Sequence, residues 1–391
     1  MHRGMGLRLG AWLAAALLAA CAPLQAQQPA PATAVAVAAD LREQQHSLPV
    51  TVPGPGGEAS GAITITSFRP RGDGPFPLAV VNHGRAIAER RAQQGRQRFE
   101  PLARYLVDKG FAVLVPTRLG YGDTYGQADP ENAGRCDALQ PASMARAASE
   151  QVLAVVGWAR TQPWIDASRW VVIGQSVGGL AVTAVVARRP PGLAAAINFA
   201  GGTGGNPDLR PGDPCSPQAT ERLWRSQAAP EPTMLWLYWR NDLYWGERWP
   251  ARWAEAWREG GGRVEFHTLD PVGRDGHNGM GIDMDHWVPL VEDYLARAGY
   301  PRPGLPKRPP PSGYAGLDDA SRLPAGPVAR DLYTRKFLAA PSPRAFALGP
   351  TGSSGWATGD WAIGRALGYC QARRGDPCKL YAVDDDVVWT P

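Results

Sequence analysis

The stretch from Trp170 to Gly179, WVVIGQSVGG, constrains the fold more than any other part of the chain. An apolar, β-branched run stops at Gly174-Gln175-Ser176-Val177-Gly178-Gly179, and a small-residue apolar pattern suited to a helix follows from 180 to 187. A strand, a tight turn and a helix therefore succeed one another within a few residues. Gly-x-Ser-x-Gly at such a junction holds its serine in a strained turn above the end of a sheet. The positions two before and two after must lack bulky side chains, hence Gly174 and Gly178. Ser176 is the candidate nucleophile.

The 391 residues allow one large domain with a small appendage, and 38 prolines with 46 glycines point to long loops and linkers. The formal charge is only +5, and Arg3 and Arg8 belong to the start of an export signal whose apolar run, 9–20, is short for a membrane span. The basic residues have no aromatic interleaving, so no nucleic-acid partner is expected. Leu18-Ala19-Ala20-Cys21 resembles a bacterial lipobox. That reading makes 1–21 a lipoprotein signal, Cys21 the lipidated residue of a periplasmic, membrane-anchored protein, and 22–47 a tether; plain cleavage after Ala26 is the alternative. Four other cysteines remain, Cys136, Cys215, Cys370 and Cys378, and in an exported chain disulfides are expected over metal ligands. Sequence proximity pairs Cys370 with Cys378, which leaves Cys136 with Cys215.

Along the chain, strands are expected at 48–52 and 62–66 around a Pro-Gly turn, then at 77–81, 111–116, 170–173, 194–199, 233–239 and 264–269. Helical patterns alternate with them at 98–109, 143–161, 177–188, 247–259 and 285–297. This alternation demands an α/β architecture, a mostly parallel twisted sheet of about eight strands with helices on both faces, over 48–299. A proline-rich linker at 300–324 leads to a small C-terminal α+β module, 325–391, expected to contain helices at 329–338 and 361–374 and strands at 346–348 and 379–383. The module is small for an independent core, and Cys370–Cys378 is expected to staple it.

A serine hydroxyl needs a base within reach and an acid that orients the base. Asp242 stands just past the apolar strand 233–239, and His277 lies in the glycine-rich loop after the next strand, Gly273-Arg274-Asp275-Gly276-His277-Asn278-Gly279. Ser176, Asp242 and His277 are the expected triad. His286 is the rival base, Asp270 and Asp275 the fallback acids, and His46 and His267 read as structural. No clustered His, Cys or carboxylate spacing suggests a metal, and no cofactor is expected.

Order, strand-end placement and turn together resemble the α/β-hydrolase superfamily, most closely its dienelactone hydrolase-like and prolyl-oligopeptidase-like branches. Dienelactone hydrolases proper use a cysteine where this chain has Ser176, and no β-propeller precedes the domain. The resemblance implies an oxyanion hole made by the amide of Val177 and, because Asn82-His83-Gly84-Arg85 resembles the His-Gly motif of such enzymes, by the amide of Arg85. His83, Tyr121, Tyr244 and Trp245 are the candidate substrate contacts. The side chain of Arg85 reads as an ordinary surface arginine. The tryptophans at 249, 253 and 257 recur every fourth residue, which marks a core-facing helix stripe. A Cys136–Cys215 bridge would clamp two loops at the strand ends and stiffen the pocket rim.

The expected activity is hydrolysis of a carboxylic ester, a small molecule or an acylated cell-envelope component, through an acyl-enzyme on Ser176. A peptidase with the same triad and a non-catalytic envelope-binding protein on the same scaffold are the alternatives.

Overall fold

In the computed structural model, which describes Met1 and residues 38–300, 308–359, 361–374 and 377–391, strands and helices alternate from residue 76 to 297. The strands are β1 (Gln44–Gly54), β2 (Gly57–Phe68), β3 (Phe76–Asn82), β4 (Ala112–Thr117), β5 (Ile165–Gln175), β6 (Leu193–Phe199), β7 (Met234–Trp239) and β8 (Val264–Leu269). They form one eight-stranded sheet in the order β1-β2-β4-β3-β5-β6-β7-β8. Strands β3 to β8 are parallel, whereas β2 runs against both β1 and β4. The chain steps from β3 out to β4 and returns on the other side to β5, so the carboxyl ends of β3 and β5 flank the crevice where such sheets bind ligands.

The helices between them are α1 (Ala88–Arg91), α2 (Glu100–Asp108), α3 (Pro141–Ala159), α4 (Val177–Ala187), α5 (Pro217–Gln227), α6 (Arg248–Glu259), α7 (Gly279–Ile282) and α8 (Met284–Arg297). Side chains alternate across a strand, and the two sheet faces sort accordingly. Leu78, Val80 and Val172 pack with α3, α4, α5 and α6, while Ala79, Val81, Val171 and Ile173 pack with α2 and α8. Trp253 and Trp257 are fully buried on the first face against Trp224 and Trp236, as their fourfold spacing requires. Trp224 belongs to α5, a helix that is not among the elements expected above. Ser216-Pro217 at its start and the Thr220, Leu223, Trp224 spacing were the signals for it.

The tether reading of 22–47 gives way before residue 47. Gln44 to Ser47 pair with β2, Leu41 is buried, and the Glu43 carboxylate is held by Arg96 and Arg98. An ion pair at the residue just before the strand fixes what composition alone marks as linker. The expected signal with Cys21, the tether up to residue 37, and 301–307 of the proline-rich stretch lie outside the described residues.

The C-terminal module holds α9 (Pro327–Leu332), which continues through a π-turn at Tyr333–Phe337, then β9 (Arg344–Leu348), β10 (Ser354–Thr358), α10 (Ala362–Arg374), β11 (Lys379–Val383) and β12 (Asp386–Val387). Its antiparallel sheet runs β10-β9-β11-β12. The polar β10 and the two-residue β12 carry too little pattern to be seen in sequence. Cys370 and Cys378 are bonded and join α10 to the entry of β11. The described residues from 38 onward belong to one compact unit, in which α10 lies directly on α2. A Cβ added at Gly368 would stand 2.9 Å from Pro101 Cα, so the close crossing requires glycine there, and one at Gly364 would press on the Asp108 carboxylate at 2.5 Å. Trp361 meets Tyr105 edge-on at 5.7 Å, Arg104 donates to Gln371, and Arg365 pairs with Asp285.

Candidate active site

Ser176 sits between β5 and α4 with φ 57° and ψ −122°, a strained conformation for a residue with a side chain. The glycines around it are there for contact. A Cβ at Gly174 would lie 2.2 Å from Gly178 O, one at Gly178 would lie 2.2 Å from Asn82 O, and one at Gly179 would lie 2.1 Å from Asn198 Oδ1. The Ser176 amide donates to Phe199 O at 3.0 Å, which ties the turn to the end of β6. Val177 is the first residue of α4, so its amide belongs to the unsatisfied donors of a helix N-terminus.

Asp242 follows β7 and is buried. Its Oδ1 accepts the amides of Tyr244 at 2.7 Å and Trp245 at 3.1 Å, and its Oδ2 lies 3.0 Å from His277 Nδ1. A carboxylate only accepts, so this contact puts the proton on Nδ1 and leaves Nε2 as the basic nitrogen. His277 is held from every side. Asp275 Oδ1 accepts its amide at 2.9 Å, Gln175 Nε2 donates to its carbonyl at 2.7 Å, and the Tyr244 ring stacks on the imidazole with centroids 3.9 Å apart. Gln175 thereby couples the residue before Ser176 to the histidine loop. No hydrogen bond joins Ser176 Oγ to His277 in this structure; such bonds commonly tighten only in the substrate complex.

The loop after β3 lies against the serine: a Cβ at Gly84 would stand 2.8 Å from Ser176 Cβ. His83 is fully buried, its Nδ1 lies 2.7 Å from Gly84 O, and its Nε2 accepts the Arg118 amide at 3.1 Å. Burial, with the nearby Arg118 charge, holds the imidazole well below the usual histidine range, so it is neutral. Gln94 brackets the same loop, donating to Gly84 O at 2.7 Å and accepting the Ala86 amide at 2.8 Å.

A pocket of 420 Å³ opens over Ser176 and Val177. One wall carries Arg85 and Arg91, which both pair with Asp129. The other carries Tyr244 and Trp245. Cys136 and Cys215 are bonded to each other and line the same pocket, so the bridge does clamp the two loops at its rim. Arg90 on α1 and Asp208 on the facing loop form an exposed ion pair at 2.6 Å.

Several sequence readings need correction. His83 and Tyr121 are fully buried and do not line the pocket. The Tyr121 hydroxyl accepts from Arg85 and donates to Glu131, which also pairs with the buried Arg118. Arg85 is not a free surface arginine; its fork engages Asp129 at 2.9 and 2.6 Å. Trp245 is almost wholly buried, its Nε1 donating to Ala200 O. Asp275 braces the backbone of Leu243 and His277, and Asp270 is exposed beside Arg240. His286 is exposed and pairs with Asp283, which raises its affinity for a proton. His46 packs between Trp158 and Trp164, far along the chain from the strand ends used by the site. Gln94, Gln175 and Asp129 went unnoticed, since amides and paired acids in loops carry no spacing signal. Among the described residues, no three His, Cys, Asp or Glu side chains converge in a metal-binding cluster.

Sheet order, the strand-end turn at Ser176 and the Asp242–His277 pair have the arrangement of the serine hydrolases of the α/β-hydrolase fold. Residues 61–235 match the family model of the X-Pro dipeptidyl-peptidases of family S15. Among solved structures the chain is similar to a putative dienelactone hydrolase from Klebsiella pneumoniae, at 19% identity over 65% of this chain and 99% of that one, with a TM-score of 0.42. It is also similar to a thermophilic esterase from Thermogutta terrifontis (14% identity, 62% and 90% covered, TM-score 0.42) and to an esterase from Pyrococcus furiosus (14% identity, 66% and 94% covered, TM-score 0.44). No curated protein matches the chain.

Proposed function

We propose that the chain cleaves carboxylic esters through an acyl-enzyme on Ser176. The observation that carries this reading is the Asp242–His277 pair, fixed in one tautomer beside a strained serine that opens into a pocket. His277 Nε2 takes the Ser176 proton as Oγ bonds to the ester carbon, and the carbonyl electrons move onto oxygen. The amides of Val177 and Arg85 stabilise that oxyanion. The tetrahedral centre then collapses, the C–O bond to the alcohol breaks, and His277 returns its proton to the leaving oxygen. Water repeats the sequence on the acyl-enzyme, releasing the acid and restoring Ser176. Asp242 keeps Nδ1 protonated and the ring oriented throughout.

The match to a family of X-Pro dipeptidyl-peptidases supports a second reading, cleavage of a peptide with the same groups. Gripping a free ammonium needs an unneutralised carboxylate inside the pocket. Asp129 is already held by Arg85 and Arg91, and Glu89 is exposed on the rim, which favours the ester. The two disulfides are consistent with export. No helix among the described residues is long and apolar enough to cross a membrane. The lipobox-like sequence at Cys21 supports a periplasmic lipoprotein of a bacterium acting on small or envelope-bound esters.

The direct test is covalent labelling of the purified protein with a fluorophosphonate. Labelling of wild type that disappears in Ser176→Ala and His277→Ala is expected. A folded wild type that does not label would move the non-catalytic binding reading forward, and hydrolysis of dipeptidyl but not ester substrates would favour the peptidase.

A further inference from the structure

We propose that Gln94 is a positioning residue of the oxyanion hole, its side-chain amide fixing the plane of the Gly84–Arg85 peptide so that the Arg85 N–H faces the oxygen developing over Ser176. The inference rests on the reading that Ser176 carries the acyl group.

The Gly84–Arg85 bond is not among the cis peptides, so its C=O and N–H point in opposite directions. Whatever holds the carbonyl therefore aims the amide. Two donors converge on Gly84 O, Gln94 Nε2 at 2.7 Å and His83 Nδ1 at 2.7 Å. The second is a donor because His83 Nε2 already accepts the Arg118 amide. Gln94 also accepts the Ala86 amide, which pins the next peptide as well. A Cβ at Gly84 would stand 2.8 Å from Ser176 Cβ and 3.3 Å from Ser176 Oγ, so this peptide borders the reacting atoms. Gln94 is anchored in turn, its own carbonyl accepting the Gly122 amide at 3.2 Å, which fastens it to the loop after β4.

A flip of the Gly84–Arg85 peptide would set its N–H against the Gln94 amide and the His83 N–H. It would also leave a carbonyl where the oxyanion forms. Removing one oxyanion donor costs on the order of 10²- to 10³-fold in kcat. Loosening it should cost less, about 10- to 100-fold.

The test compares wild type, Gln94→Ala and Gln94→Glu on p-nitrophenyl acetate, together with inhibition by an aryl trifluoromethyl ketone, which forms an oxyanion on the nucleophilic serine. The glutamate keeps the size and the acceptor for Ala86 but loses the donor to Gly84 O, so it decides the question if the alanine variant does not fold. The expected result is a kcat lower by about 10- to 100-fold with KM within about twofold, and trifluoromethyl ketone affinity lowered by a similar factor. A kcat within about twofold of wild type in Gln94→Glu, or a fall in kcat with ketone affinity unchanged, would overturn the proposal. Fluorophosphonate labelling that persists in these variants separates that result from failure of the serine-hydrolase reading, which a wild type that does not label would show and which would overturn the proposal with it.

Discussion

At the scale of single residues, the site depends on hydrogen-bond polarity as much as on position. Asp242 uses one oxygen for two backbone amides and the other for His277. In Asp242→Asn the amide group keeps one oxygen, which the Tyr244 and Trp245 amides claim, so its NH₂ must face Nδ1. Two donors then oppose each other, and the imidazole relieves the conflict by moving its proton to Nε2. Ser176 would lose its base while the backbone stays in place. The expected outcome is a kcat lower by about 10³- to 10⁴-fold with the cooperative unfolding transition kept, measured by ester hydrolysis and denaturant titration. A loss below about tenfold would mean that Asp242 does not orient the base.

At the scale of elements, the clearest electrostatic device lies where the first strand begins. Burial opposes ionisation of Glu43, but hydrogen bonds from Arg98, the Ala38 amide and Arg96 outweigh it, and the carboxyl stays below its ordinary range. A depressed folded value means that the stabilisation is fully present above the ordinary glutamate range and is lost as pH falls through the lowered one. Glu43→Gln removes the charge that Arg96 and Arg98 share, leaving Arg98 with Glu100 and Arg96 with the Thr66 hydroxyl. It should cost about 3 kcal/mol near neutral pH, a deficit that shrinks on acidification. Urea titrations of both proteins at several pH values between about 3 and 7 would read it. A deficit independent of pH would show that the lost contribution is packing rather than charge. The same scale shows what sequence could carry. Apolar runs and glycine placement located the buried strands of the main sheet and the Ser176 turn, since each is a local pattern. Asp242 and His277 were readable because strand ends order them along the chain. Gln94, Gln175, Asp129 and Glu43 were not, because their partners lie in other elements and nothing local marks them. Trp245 and Tyr121 stood in the expected loops, yet packing turned them inward.

At the scale of the whole molecule, the C-terminal module is a buttress of the main sheet and not a separately hung appendage. Trp361 meets Tyr105 edge-on, Tyr105 meets Trp287 at 5.9 Å, and Trp287 meets Phe199 at 5.0 Å. Phe199 O in turn accepts the Ser176 amide, so a run of packed rings closed by this hydrogen bond links Trp361, at the start of α10, to the Ser176 turn. Close packing makes such a run stiff, and a cavity at its outer end is paid for in stability before it is felt at the site. Trp361→Ala should lower the unfolding free energy by about 3 to 5 kcal/mol, read by urea titration. Because Tyr105 keeps its hydrogen bond to Glu292 and Trp287 keeps its bond to Met280 O, the inner half of the run stays fixed. Ester hydrolysis at low temperature should therefore remain within about threefold of wild type, the variant failing first on warming. Unchanged stability would mean that the module merely rests on α2, and an immediate loss of activity in a fully folded variant would mean that the module acts on the site directly.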